Sequence, residues 1–298
     1  MHTPVMLREC VEYLSIRPNG VYADLTCGLG GHSGAIARQL KSLGGVGRLI
    51  ACDRDAESLE MAKANLADCA DKIHFHQSVF SRVGDVLAAE GISQLDGLLA
   101  DLGVSKYQLT DGGRGFSLMA DGPLDMRMSR TGVSAGLSHI QRTAADIVNY
   151  ESEKELADLI FRKGEERRSR KIARAIVRAR PITTTGQLAK LIEGAVPRTS
   201  KLHPATQTFM ALRLEVNQEM EELDSLLASL ARWVKPNGRV VMLTFMSIED
   251  RKVKQSFQAL AKEGRATLLN RHVVKPTEEE TRENPAARSA KLRAIEMN

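Results

Sequence analysis

The chain has 298 residues, enough for one large or two ordinary domains at roughly 100–200 residues each. Hydrophobic residues make up 43% and charged residues 27%, a balance that excludes global disorder and predicts a substantial core. No uncharged apolar run approaches the roughly 18 residues of a membrane span. The first residues lack a basic stretch followed by an apolar one, and Cys10, Cys27, Cys52 and Cys69 show no paired short spacing. These features predict a cytoplasmic protein with reduced thiols, no membrane contact and no bound metal. The net charge of +5 is unevenly spread. Residues 104–203 hold 18 basic and 11 acidic side chains, a net of +7, whereas the remainder holds 24 against 26. A basic module on a neutral scaffold suggests a polyanionic partner.

Val21–Leu25 reads as a short buried strand, followed by the glycine-rich Cys27–Gly31 and a helical stretch to about Leu43. Arg48–Cys52 is a second strand ending at Asp53, and Ala56–Leu66 has helical spacing. Ile73–Val79 and Leu95–Ala100 are third and fourth strands, the latter ending at Asp101. Strands separated by helices predict a parallel sheet with helices on its faces.

The next convincing strand, Arg239–Phe245, follows a turn at Lys235–Gly238, 138 residues after Asp101, whereas a whole βαβ unit needs about 30 or more. Pro204–Trp233 can supply the crossover helix, with Leu212, Val216, Met220, Leu223, Leu226, Leu227 and Leu230 as its apolar stripe. That leaves residues 104–203 as an inserted, mainly helical domain between two parts of one α/β domain, 1–103 and 204–298. Glu153–Arg162, Glu166–Arg180 and Thr185–Ala195 are its clearest helices. Beyond the fifth strand, Glu249–Ala261 is helical and Ser289–Glu296 alternates like a last strand.

The first strand runs into Asp24-Leu25-Thr26-Cys27-Gly28-Leu29-Gly30-Gly31-His32-Ser33. Glycines permit a tight turn and close approach of a ligand, and the following helix offers unpaired N–H groups. Asp53, 23 residues beyond Gly30 at the end of strand two, can accept both hydroxyls of a ribose. Any adenosine-containing cofactor fits this far. Ser33 breaks the dinucleotide pattern, which would place a third Gly or Ala there. Asp24 would oppose a pyrophosphate but suit the positive charges of S-adenosylmethionine. The residues therefore favour a methyltransferase over a nicotinamide oxidoreductase.

Longer motifs carry a resemblance. They are His2–Leu7, Gly28–Ser33, Asp53-Arg54-Asp55, Asp101–Ser105, Arg114–Ser117, Asp121–Met128, His203–Thr206, Ser247–Arg251 and Asn284–Ser289. With these, the chain resembles the MraW/RsmH family of bacterial small-subunit ribosomal RNA methyltransferases nearly end to end. The resemblance implies a Rossmann-like class I S-adenosylmethionine-dependent methyltransferase fold. It implies methylation of the exocyclic N4 of a cytidine in 16S rRNA of the small ribosomal subunit, near the decoding P site. By position it implies cofactor contacts at Gly30, Gly31, His32, Asp53, Phe80, Asp101 and Gln108. Two departures stand out. Met246 replaces the family's usual His before Ser247, and Leu25 replaces the usual Gly between Asp24 and Thr26.

His32, at a helix start, is expected to position the cofactor rather than transfer protons. Phe80 would cover the adenine; without the resemblance it would be taken for core. Asp101 is a cofactor contact, and the candidate catalytic residue if the amine protons need an acceptor. Arg167, Arg168, Arg170, Lys171, Arg174, Arg178 and Arg180 lie on one predicted helix, opposite Ile172, Ile176 and Val177. Such a run is usually a solvated face, but its net charge makes it a candidate contact for RNA phosphates. A DNA cytosine-N4 methyltransferase is disfavoured, because Asp-Leu-Gly-Val stands where such enzymes carry Pro-Pro-aromatic. A non-catalytic ribosome-assembly factor is the alternative from outside the enzymes.

Overall fold

The computed structural model of the chain describes residues 4–104, 108, 111–118, 120–129, 141–198 and 202–298. His2, Thr3 and Ser105 of the resemblance motifs lie outside the described residues. Two compact units emerge: Met1–Gly103 with Glu221–Asn298, and Val104–Met220.

The first unit is built on β1 (Val21–Asp24), β2 (Arg48–Asp53), β3 (Ile73–Gln77), β4 (Leu95–Asp101), β5 (Val234–Thr244), β6 (Ala266–Leu268) and β7 (Lys291–Met297). They form one sheet in the order β3-β2-β1-β4-β5-β7-β6. The first five strands run parallel, and β7 is antiparallel to both β5 and β6. This is the expected Rossmann-like methyltransferase architecture. Leu95–Ala100 are buried without interruption, as a parallel strand covered on both faces requires. Against one face pack Cys10 and Leu14 of α1 (Leu7–Leu14) and Ile36, Ala37 and Leu40 of α2 (Gly31–Leu43), meeting Tyr22, Leu49, Leu99 and Val241. All four cysteines are buried free thiols. Strand order reverses between β1 and β4, which opens a crevice at their carboxyl ends. Between β2 and β3 lies α3 (Ala56–Asn65), and between β3 and β4 lies α4 (Val83–Ala89).

The second unit contains α5 (Ala144–Tyr150), α6 (Glu153–Gly164), α7 (Ser169–Ala179), α8 (Thr185–Ala195) and α9 (Thr206–Val216). Helices α5, α6 and α8 each start with a complete capping box, at Thr143/Asp146, Ser152/Glu155 and Thr184/Gln187. Their core joins Ile147, Ile160, Ile176, Leu188, Phe209 and Leu212. The run from Asp121 to Met128 is stitched into this unit. Pro123 bridges Thr184, the Leu124 N–H donates to the Thr183 carbonyl at 3.0 Å, and the Met128 N–H donates to Asn217 Oδ1 at 2.9 Å.

The structure corrects the expected crossover helix. Residues 204–233 form two helices, α9 and α10 (Glu219–Trp233), separated at Gln218, whose φ is +50°. Asn217 fixes the break, because its Nδ2 donates to the carbonyls of Met126 at 2.8 Å and Arg213 at 2.9 Å. Since α9 buries Phe209, Leu212 and Val216 in the second core, that unit ends at Met220 rather than His203. Over 104–220 it carries 19 basic and 13 acidic residues, a net of +6. The predicted turn at Lys235–Gly238 lies inside β5, as an irregularity between the pairings Leu95–Val234 and Gly97–Arg239. Two further elements appear after β5: α11 (Ser247–Lys262) and α12 (Glu278–Glu283). No helix among the described residues is long and apolar enough to cross a membrane.

Asn217 is fully buried, so Asn217→Ala would remove the acceptor of the Met128 N–H and a donor to the Met126 carbonyl in the core. The expected loss is about 2–3 kcal/mol, visible as a lower urea midpoint for the second unit; an unchanged midpoint contradicts this account of the break.

Candidate active site

At the carboxyl end of β1, Asp24 is fully buried. Its Oδ1 accepts from the Thr26 N–H at 3.0 Å and the Thr26 hydroxyl at 3.2 Å, and its Oδ2 accepts from the Ser33 hydroxyl at 2.6 Å. From its place in the sequence, Asp24 is expected to face the cofactor's positive end. Full burial restricts it to acting through its charge and through the loop it ties. Leu25 is buried, so its extra bulk lies in the core.

Gly30 ends the loop with φ of +92°, and a Cβ there would also sit 2.8 Å from Leu66 Cδ1. Both constraints select glycine. Helix α2 starts at the next residue, Gly31, and its N-cap residue, Gly30, offers no side-chain cap. Its first-turn N–H groups are therefore left for solvent or a ligand.

Asp53, at the end of β2, is half-buried. Its Oδ2 accepts from the Gly28 N–H at 2.7 Å and its Oδ1 from the Asp55 N–H at 2.9 Å. Burial nevertheless pushes its carboxyl up to about 6, outweighing both bonds. Each oxygen keeps acceptor capacity for a further donor.

His32 is buried, with Nε2 3.0 Å from the Val5 carbonyl. A carbonyl only accepts, so Nε2 carries the proton. Nδ1 lies 3.6 Å from Asp101 Oδ2. Asp101 closes β4. Its N–H donates to the Thr26 hydroxyl at 2.7 Å, and burial pushes its carboxyl up to about 6. Its Oδ1 is buried with no hydrogen-bond partner among the described residues. Phe80 is half-buried at the start of a short turn, Phe80–Arg82, that follows β3.

The first unit thus carries Gly30, Gly31, His32, Asp53, Phe80 and Asp101 at or just beyond the carboxyl ends of β1 to β4. Gln108 belongs to the second unit and is buried there. Sequence reasoning missed Thr26, which links the loop to β4. It also missed Val5, whose backbone carbonyl carries no side-chain signal. Met246 contributes its backbone: its N–H donates to Glu249 Oε2 at 3.0 Å. Asp250 of the same motif pairs with Arg293 at 2.7 Å and Lys291 at 3.2 Å.

On the second unit, α7 exposes Arg170, Lys171, Arg174 and Arg178 while burying Ile172, Ala173 and Ile176. Arg167 just ahead of it is exposed as well. Arg168 is half-buried and donates to the Pro197 carbonyl at 3.0 Å. Arg180 leaves the basic face altogether. Its guanidinium donates to the carbonyls of Val148 at 2.7 Å and Glu151 at 2.5 Å, closing the end of α5.

The model of the MraW methylase family matches residues 1–298. The ribosomal RNA small subunit methyltransferase H of Solibacter usitatus is 56% identical over 297 residues, covering 100% of both chains. The protein of the same name from Acidobacterium capsulatum is 48% identical over 305 residues, covering 99% of this chain and 98% of that one. Its namesake from Kosmotoga olearia is 44% identical over 302 residues, covering 99% and 97%. This chain belongs to the MraW methylase family.

Proposed function

We propose that this protein transfers a methyl group from S-adenosylmethionine to the N4 amine of a cytidine in 16S rRNA of the small ribosomal subunit, near the decoding P site, in the cytoplasm. The observation that carries this reading is the gathering of the glycine loop, Asp53 and Asp101 at one end of the sheet, in a chain that matches a methylase family throughout. The names of its relatives support small-subunit rRNA as the substrate.

The residues fit the cofactor. The uncapped start of α2 at Gly31 and His32 suits a carboxylate. The remaining acceptor capacity of Asp53 suits ribose hydroxyls, and the ring of Phe80 suits adenine. The unpartnered Asp101 Oδ1 suits an ammonium or amine N–H. The role of Gln108 rests on the family resemblance. S-adenosylmethionine, when bound, supplies a methyl group on positively charged sulfur.

The cytosine amine is conjugated with its ring, so its lone pair must be held in line with the methyl group. Positioning supplies most of the acceleration. The newly methylated amine is acidic and can lose its proton to water. Asp101 therefore serves first as a cofactor contact and orienting acceptor. The exposed cations Arg167, Arg170, Lys171, Arg174 and Arg178, with Arg168 beside them, meet rRNA phosphates. The second unit is in this reading the substrate-recognition domain.

The test is methyl transfer from labelled cofactor to purified small subunits, with the modified nucleoside identified by mass spectrometry. N4-methylcytidine in 16S rRNA is expected. 5-methylcytidine, transfer to duplex DNA instead, or no transfer by folded protein overturns the proposal.

Asp53→Ala should weaken S-adenosylmethionine binding by about 1.5–3 kcal/mol, the range for charge-assisted hydrogen bonds, measured by calorimetry with folding checked by a thermal melt. The ionised carboxylate is the better acceptor and forms above pH about 6, so wild-type affinity should rise from pH 5 to 7 and then level. The same burial makes ionisation unfavourable to folding. That penalty is present above the raised pKa and disappears as pH falls through about 6 towards the ordinary carboxylate range. Affinity that is flat from pH 5 to 7, or unchanged in the variant, removes Asp53 from the ribose site.

Replacing Arg170, Arg174 and Arg178 together by Gln should weaken small-subunit binding and flatten its salt dependence, because fewer counterions are released. Cofactor affinity should stay the same. A salt slope equal to wild type would make α7 a solvated face.

A further inference from the structure

The turn carrying Phe80 is short, with an internal bond from the Arg82 N–H to the Val79 carbonyl at 3.0 Å. Its orientation is set from outside. On the upstream side, the Ser78 N–H donates to the Asp53 carbonyl at 2.9 Å. Beside it, Gln77 Nε2 donates to the Arg54 carbonyl at 3.1 Å. On the downstream side, Ser81 donates twice to one carboxylate, its N–H to Glu222 Oε2 at 2.8 Å and its hydroxyl to Glu222 Oε1 at 2.9 Å.

Glu222 lies on α10 and is only 8% exposed. Burying a carboxylate is costly unless its oxygens find donors, and here both are satisfied by the residue that follows Phe80. Trp233, at the end of the same helix, lies beside Gly84 of α4, where an added Cβ would stand 3.5 Å from its Nε1. An apolar side chain at residue 222 would fill the same space. It would not fix the direction of a backbone N–H and a hydroxyl together. Two bonds to one residue restrain both the turn's position and its rotation, and rotation decides whether an aromatic ring presents its face or its edge.

We propose that Glu222 is a positioning residue for the cofactor site: by clamping Ser81 it holds the turn that presents the ring of Phe80. The inference rests on the reading that Phe80 covers adenine. Glu222 touches neither cofactor nor substrate in this account and acts through Phe80.

The test is calorimetry on the full chain with two probes, S-adenosylhomocysteine and 5′-methylthioadenosine, which share the adenosine part and differ in the amino-acid part. Glu222→Ala should weaken both about tenfold, the equivalent of about 1.4 kcal/mol. Glu222→Gln, which keeps one acceptor, should recover part of that loss. Phe80→Ala should weaken both probes, and the double variant should bind no worse than Phe80→Ala alone. Hydrogen exchange at the Ser81 amide should accelerate in Glu222→Ala. Wild-type affinity in Glu222→Ala beside a weakened Phe80→Ala would leave Glu222 a structural tie and overturn the inference. Additive losses, or a loss confined to S-adenosylhomocysteine, overturn it as well. Unchanged affinity in Phe80→Ala overturns the adenine reading first and this inference with it. If Glu222→Ala does not fold, Ser81→Ala takes its place. It removes one of the two bonds and should weaken both probes about threefold; wild-type binding in that variant overturns the clamp.

Discussion

A fully buried carboxylate at the end of β1 governs the geometry of the working end of the sheet. Asp24 has no access to water, so it is tolerable only while donors surround it. Thr26 and Ser33 provide them, and each ties a different piece of chain. Ser33 belongs to the first turn of α2, so its bond sets where that helix begins. The Thr26 hydroxyl donates to Asp24 and accepts the Asp101 N–H, which links the end of β1 to the end of β4. The path of the glycine loop follows from these ties. Gly28 completes it by donating to Asp53 at the end of β2.

The same arrangement concentrates negative charge. Desolvation is the largest influence raising the Asp53 and Asp101 carboxyls, and the charge of Asp24 adds to both. Three carboxylates on neighbouring strand ends would repel a pyrophosphate. The adjoining start of α2, by contrast, presents N–H groups that attract an anion. One ligand satisfies both if it carries a carboxylate and positive charge at one end and a hydroxylated sugar at the other. S-adenosylmethionine has that distribution and a dinucleotide does not. The electrostatics of the folded site thus lead to the same cofactor as the broken glycine pattern at Ser33.

What the sequence made legible follows the range of the interactions. The four central parallel strands were readable because burial on both faces writes continuous apolar runs, and each ends at or near a polar residue. The expected helices α6 and α8 follow Ser or Thr with Glu or Gln three residues on, a local signal; α5 carries the same signal at Thr143 and Asp146 but is too short to show an apolar period. The single helix expected over 204–233 fails because its apolar stripe continues across the break, while Asn217 answers to Met126 and Met128 about 90 residues earlier. β6 is three residues long with one buried side chain, too short to show a period. Glu222 gave no signal either. On an amphipathic helix it looks like one more solvated charge, and its partner lies 141 residues away.

The motifs most useful for placing the chain in its family are chiefly structural. In Gly-Pro-Leu-Asp-Met-Arg-Met, a Cβ on Gly122 would collide with the carbonyl oxygen of Gly112, and Met126 holds a φ of +61°. Leu124, Met126 and Met128 are buried in the second core, while Asp125 and Arg127 pair with each other at 2.7 Å. Glu249 caps α11, and Asp250 ties that helix to β7. A long string becomes distinctive when every position answers to a different neighbour, and a tightly packed extended segment has that property. The residues proposed for the site are single glycines, aspartates and a phenylalanine, common types whose meaning comes from standing at strand ends. The scaffold motifs identify the fold that puts those few side chains together, and the chemistry follows from the placement.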